Sequence, residues 1–226
     1  MYDAAMLPLD DAVAVRPAPK AVIALLAVNA GVLALCAAGE PAVTATWFER
    51  FGLVPRVFLA SLEGSPTWAW LSPTTAMFLH GDLLHFAGNA LFLWIFGPPV
   101  EERLGWQRFA IFYLTCGLAA GLVQVAATPG SFVPAIGASG AVSGLLGAYA
   151  VSQPTGRLSL AWSPVRVPAI AFLFLWIVFQ IGSDLGSPDD AASGIAGWAH
   201  VGGFLAGAAL ARSTWVRRPT PSGHGI

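Results

Sequence analysis

Apolar residues gather into six runs along the chain, separated by polar or proline-bearing connections. The first, residues 21–38 (AVIALLAVNAGVLALCAA), has Asn29 as its only strongly polar side chain. A second extends from about Gly81 to Val100, a third from about Phe109 to Ala127, and a fourth from Ser139 until it fades at Gln153 and Pro154. A fifth covers Val167 to Ile181, and the last Ile195 to about Arg212. Each predicts a membrane-spanning helix. Several are nearer to 15 than to 20 residues in their apolar part, a length that requires close neighbours or a thinned bilayer.

The connections differ in character. Residues 39–72 read as a long loop bearing Trp47, Phe48, Phe51, Phe58, Trp68 and Trp70, aromatics suited to headgroup depth. Glu101-Glu102-Arg103-Leu104-Gly105 is a charged link between the second and third runs, and residues 155–166 are a polar loop. Gly182–Ser193 is another, with Asp184, Asp189 and Asp190. Residues 1–19, with Asp3, Asp10, Asp11 and Arg16, predict a disordered tail, and residues 216–226 a short one, leaving 20–215 as the membrane domain. Arg16 and Lys20 before the first run resemble a signal peptide, but its apolar core exceeds the usual ~7–15 residues, which favours a retained helix. No internal repeat is visible, against an inverted-repeat transporter.

Composition gives the class. The chain is 56% hydrophobic and 10% charged, with a mean hydropathy of +0.69, whereas soluble domains carry about 25% charge. The fold class expected is an all-α membrane protein, a six-transmembrane-helix bundle. No basic cluster is denser than Arg217-Arg218, which argues against a nucleic-acid partner. Cys36 and Cys116 both fall in apolar runs and read as small buried hydrophobes. Six spans put Arg16, Lys20, Arg103, Arg108, Arg157, Arg166, Arg212, Arg217 and Arg218 on one side, against Arg50 and Arg56 on the other. That asymmetry predicts cytoplasmic termini. The bias to Ala, Gly and Arg over Lys points to a bacterial cell membrane.

Three runs then bring polar side chains to one depth. His85 and Asn89, four apart, share a face of the second helix in its outer half. Ser139 opens the fourth helix and His200 lies about five residues into the sixth. Polar groups in lipid are costly and usually functional. A helix start offers unpaired N–H groups and a positive dipole end. Gly203 and Gly207 are spaced to mate with Gly140, Gly144 and Gly147, an approach that would bring Ser139 within reach of His200 as its base. His85 and Asn89 could then join the Ser139 backbone N–H around an oxyanion. No carboxylate falls inside a run, so the arrangement is a Ser–His dyad. It lacks the paired aspartates of an aspartyl protease and the H-E-x-x-H of a zinc enzyme, and Ala141 breaks the G-x-S-x-G elbow. The competing readings are small-residue packing with structural polar groups, and a small-solute transport site. His80, just before the second helix, reads as structural or water-holding.

Taken in order, Met77-Phe78-Leu79-His80-Gly81 with His85 and Asn89, Glu101-Glu102-Arg103-Leu104-Gly105, Gly137-Ala138-Ser139-Gly140, Trp176 with Gln180, and Ala199-His200-Val201-Gly202-Gly203 resemble the rhomboid intramembrane serine proteases. The likeness runs from about Trp68 to Gly207. It implies a six-helix core with a half-embedded loop after the first helix. It also implies Ser139 as nucleophile, His200 as general base, and His85 with Asn89 in the oxyanion hole. Four residues after the serine, where the family often has an aromatic, this chain has Ser143. The activity implied is cleavage of transmembrane protein substrates near the outer membrane face, at helix-weak, small-residue segments, with no metal or cofactor. A non-catalytic scaffold that binds client helices is the alternative.

Overall fold

In the computed structural model, residues 18–64, 68–152, 157–159, 166–168 and 196–212 are described. Three helices among them are long and apolar enough to cross a bilayer: α1 (Lys20–Ala38), α5 (Leu83–Leu104) and α6 (Trp106–Ala127). Two shorter ones, α7 (Ser139–Ser152) and α8 (Gly197–Arg212), complete the packed centre. The fifth run with Trp176 and Gln180, the aspartate loop after it and both tails lie outside the described residues, apart from Ala18, Pro19, Val167 and Pro168. Val167 and Pro168 belong to a short antiparallel pair, β1 (Arg157–Ser159) and β2 (Arg166–Pro168), which no apolar pattern announced.

The expected loop over residues 39–72 is largely helical, a correction to the sequence reading. It holds α2 (Pro41–Phe51), α3 (Pro55–Leu62), a 3-10 turn (Trp68–Leu71) and α4 (Ser72–Thr75), followed by a second 3-10 turn (Ala76–Phe78). Pro41 and Pro55 sit at the first helical positions, where the missing N–H costs nothing and φ is already helical. No residue of α2 is buried. A short amphipathic helix among aromatics looks like a loop when the signal sought is a long apolar run.

A second correction concerns the charged link, which is the last turn of α5 rather than a connection. Glu101 is buried there, and its carboxylate accepts hydrogen bonds from the Ala21 and Val22 N–H groups at 3.1 and 3.0 Å. Those are orphan donors of the first turn of α1, so one carboxylate clasps the start of α1 to the end of α5. The break between α5 and α6 falls instead at Gly105, whose φ of +77° suits glycine.

Among the described elements, α7 is the innermost, with every position from Gly140 to Tyr149 buried. On one side it meets Leu93, Phe96, Phe112 and Cys116 of α5 and α6, and Tyr149 lies edge-on to Phe96 at 5.2 Å. On the other it meets α8 backbone to backbone. A Cβ added at Gly203 or Gly207 would strike the carbonyl of Gly140 or Gly144, and one at Gly147 that of Phe204. Lipid gives helices no hydrophobic reason to associate, so close approach through small residues supplies the dispersion contact instead. At 14 residues α7 is about 21 Å long, less than the ~30 Å hydrocarbon core. Burial among neighbours makes that length tolerable.

Candidate active site

Ser139 is the first residue of α7. The segment before it is held by backbone bonds on its outer flank. Leu53 and Ala135 exchange two N–H···O bonds of 3.0 and 2.9 Å, Arg56 N–H donates to Ser131 O at 3.0 Å, and Gly137 N–H donates to Ala76 O at 2.9 Å. The last places Gly137 at φ +115°, a conformation L side chains rarely adopt. A Cβ there would also lie 2.7 Å from His85 Nε2 and 3.7 Å from Ser139 Oγ. The bare glycine thus leaves open the space that the serine hydroxyl and the His85 ring both face.

His200 is in the first turn of α8 and 6% exposed. Its Nε2 stands 2.7 Å from Ser139 Oγ, although 61 residues separate them in the chain. The glycine seam between α7 and α8 sets that separation. Ser143, where an aromatic often stands in the family, is fully buried and donates its hydroxyl to Ser139 O at 2.6 Å. Its side chain is folded back on its own helix and leaves α7 thin enough for the seam.

On α5, Asp82 caps the helix by accepting the His85 N–H at 2.8 Å. That bond holds the Asp82 carboxyl below the ordinary carboxylate range. Asn89 is buried and donates one amide hydrogen to His85 O at 3.0 Å; an amide carries a second. The structure therefore brings Ser139 and His200 into direct contact and places His85 across the Gly137 gap from the serine. Asn89 is tied to His85 through its backbone.

One contributor, Gln124, escaped the sequence reading, and a second, His80, was read there as structural or water-holding. Gln124 of α6 is buried, and its side-chain carbonyl accepts the Ala199 N–H at 3.1 Å, while its amide donates to Thr128 Oγ1 at 3.2 Å. It grips the start of α8 one residue before His200. A glutamine among apolar neighbours was the available signal. His80 is 1% exposed, and neither ring nitrogen makes a hydrogen bond of good geometry among the described residues, the Phe78 backbone being its nearest polar partner. The ring stands edge-on to His85 at 5.3 Å and to Phe86 at 5.6 Å. Burial first, and the neighbouring His85 second, push its pKa down to about 4, so the ring is neutral at ordinary pH. Beside Ser139 lies a cavity of about 40 Å³, bordered by Gln124, Gly137, Gly140 and Ala199, enough for one water.

A family model for the Rhomboid domain matches residues 67–217. The presenilin-associated rhomboid-like protein, mitochondrial, of Rattus norvegicus is 32% identical over 140 residues, which is 58% of this chain and 34% of that protein. Rhomboid protease GluP of Bacillus subtilis (strain 168) is 32% identical over 142 residues, 62% of this chain and 26% of that protein. RHOMBOID-like protein 6, mitochondrial, of Arabidopsis thaliana is 28% identical over 149 residues, 66% of this chain and 44% of that protein. The matched region spans less than half the length of each of these relatives. With the family model matched across residues 67–217, about two thirds of the chain, and the glycine seam bringing the motif residues together, this chain belongs to the rhomboid family.

Proposed function

We propose that this chain is an intramembrane serine endopeptidase that cuts transmembrane protein substrates near the outer face of the bilayer, with residues 20–215 forming a six-helix domain and both termini cytoplasmic. The observation that carries the reading is the 2.7 Å approach of His200 Nε2 to Ser139 Oγ inside a helix bundle. In the reaction, Ser139 Oγ attacks the scissile carbonyl as His200 takes its proton, and His200 then passes that proton to the leaving amine. The oxyanion forms in the gap kept open by Gly137, where His85 Nε2–H, the free amide hydrogen of Asn89 and the Ser139 backbone N–H supply donors. Water beside Ser139 then hydrolyses the acyl-enzyme, again with His200 as base. Substrates must reach the serine as extended backbone, so helix-weak, small-residue segments are the targets.

A serine-directed fluorophosphonate probe and a panel of single-span substrates in liposomes test the reading. Wild type should label and cleave. Ser139→Ala should do neither, and His200→Ala should lose about 10³-fold or more in rate, the scale for removing one member of a nucleophile–base unit. Folded wild type that neither labels nor cleaves would replace the protease with a client-binding scaffold.

A further inference from the structure

We propose that the cavity between α2, the α2–α3 turn and the first 3-10 turn binds the headgroup of a zwitterionic phospholipid from the leaflet on the Ser139 side. The cavity measures about 260 Å³, far beyond the ~30 Å³ share of one water, so it suits an organic group. Val54, Val57 and Trp68 wall it, and its charges are one anion and one cation, the adjacent Glu49 and Arg50. Arg50 lies over the Phe51 ring, 5.7 Å from its centroid, and neither charge makes an ion pair among the described residues. An isolated anion would be repelled by Glu49, and an isolated cation by Arg50. A dipolar headgroup satisfies both, its phosphate on the guanidinium and its ammonium on the carboxylate.

Position supports the same occupant. Helix α2 has no buried residue, and Val43, Phe51, Trp68 and Trp70 all stand exposed around it. Exposed aromatics and valine beside charged groups suit the headgroup layer. The pocket also abuts the segment that leads to the nucleophile. Gly52 borders the cavity, and a Cβ added there would touch Pro134 and Ile136 at 3.0 Å. Leu53, between the cavity-lining Gly52 and Val54, exchanges the backbone bonds with Ala135. A bound headgroup therefore steadies the turn on which the Gly137 loop is strung.

Delipidated Ser139→Ala protein in detergent, examined by native mass spectrometry with added phosphatidylethanolamine, phosphatidylglycerol or inorganic phosphate, tests this apart from any proteolysis. Phosphatidylethanolamine should be retained over phosphatidylglycerol by roughly fivefold, the scale of one surface ion contact, and millimolar phosphate should not displace it. Arg50→Ala, which leaves Glu49 alone, should weaken retention of both lipids while keeping phosphatidylethanolamine ahead, and Glu49→Lys, which makes the pocket doubly cationic, should invert the preference toward phosphatidylglycerol. Both residues are on a helix that buries nothing, so the variants fold, and unchanged melting checks it. Equal retention of the two lipids by the parent, an unchanged preference in Glu49→Lys, or displacement by free phosphate overturns the proposal.

Discussion

The α7–α8 seam and the α1–α5 contact solve one problem in opposite ways. Helices in lipid need packing or hydrogen bonds to stay together. Along the seam, glycines let two backbones touch from Gly140 with Gly203 to Gly147 with Phe204. At α1 the contact runs through side chains. The Glu101 carboxylate clasps two N–H groups, and Val22 fills the notch at Gly97, where a Cβ would meet it at 2.6 Å. Backbone contact is short-ranged and allows little adjustment, and the seam carries the 2.7 Å Ser139–His200 pair. A carboxylate clasp tolerates small shifts, and it holds a helix remote from that pair. Precision lies where the chemistry is proposed; elsewhere attachment suffices.

The sharpest way to break this contrast is to thicken the seam. Gly203→Val would drive a side chain into the Gly140 carbonyl and should cost about 3 kcal/mol, with probe labelling and thermal stability lost together. A variant that melts normally and still labels would show that the seam is not the positioning device. Next in size, Glu101→Leu strands two buried donors and should lower stability by about 2 kcal/mol, read as a lower melting temperature. Labelling well below that temperature should stay near wild type. A parallel loss of labelling would mean that the clasp, too, sets the geometry.

Gln124→Leu sharpens the contrast from within the site. It removes one acceptor from the start of α8, while Ala199 N–H keeps its bond to Ala196 O at 3.0 Å. The expected result is a several-fold lower kcat with KM unchanged, from looser placement of His200, and a melting change no larger than the loss of one hydrogen bond, about 1 kcal/mol. The smallest effect at neutral pH belongs to His80. Its ring stays neutral in the fold down to about pH 4, whereas in the unfolded chain it takes a proton near the ordinary imidazole value of about 6.5. The unfolded state binds the extra proton between these values, so stability falls as pH drops from about 6.5 to about 4. The depressed Asp82 carboxyl adds a loss of the same sign further into acid. His80→Phe should flatten the melting temperature across the His80 window and leave it unchanged above pH 7. An unaltered slope would place the acid sensitivity elsewhere.

How much was legible follows from what each signal depends on. The runs at 21–38, 81–100 and 109–127 became α1, α5 and α6 because twenty apolar residues have few alternatives to a helix in lipid. The aromatic stretch over 39–72 hid α2 and α3, whose helicity rests on proline starts and on a surface to lie on. Glu101 read as part of a loop because a buried carboxylate makes sense only once the Ala21 and Val22 donors are beside it. Gln124, in the last turn of α6, and Thr128 just past its end gave no hint of Ala199, 75 residues away from the glutamine.

By itself, the order of apolar runs, small residues and polar insertions determined that this is a helical membrane protein of the rhomboid family and which polar side chains to propose for its site, since apolar length and residue type act locally along the chain. Only the tertiary structure decided how those side chains meet: Ser139 Oγ against His200 Nε2, His85 across the Gly137 gap, and Gln124 gripping the turn before the histidine. Such distances depend on the depth and rotation of one helix against another. Those are settled by glycine carbonyl contacts and by backbone bonds such as Leu53 with Ala135, which join parts of the chain too far apart for any local pattern to register.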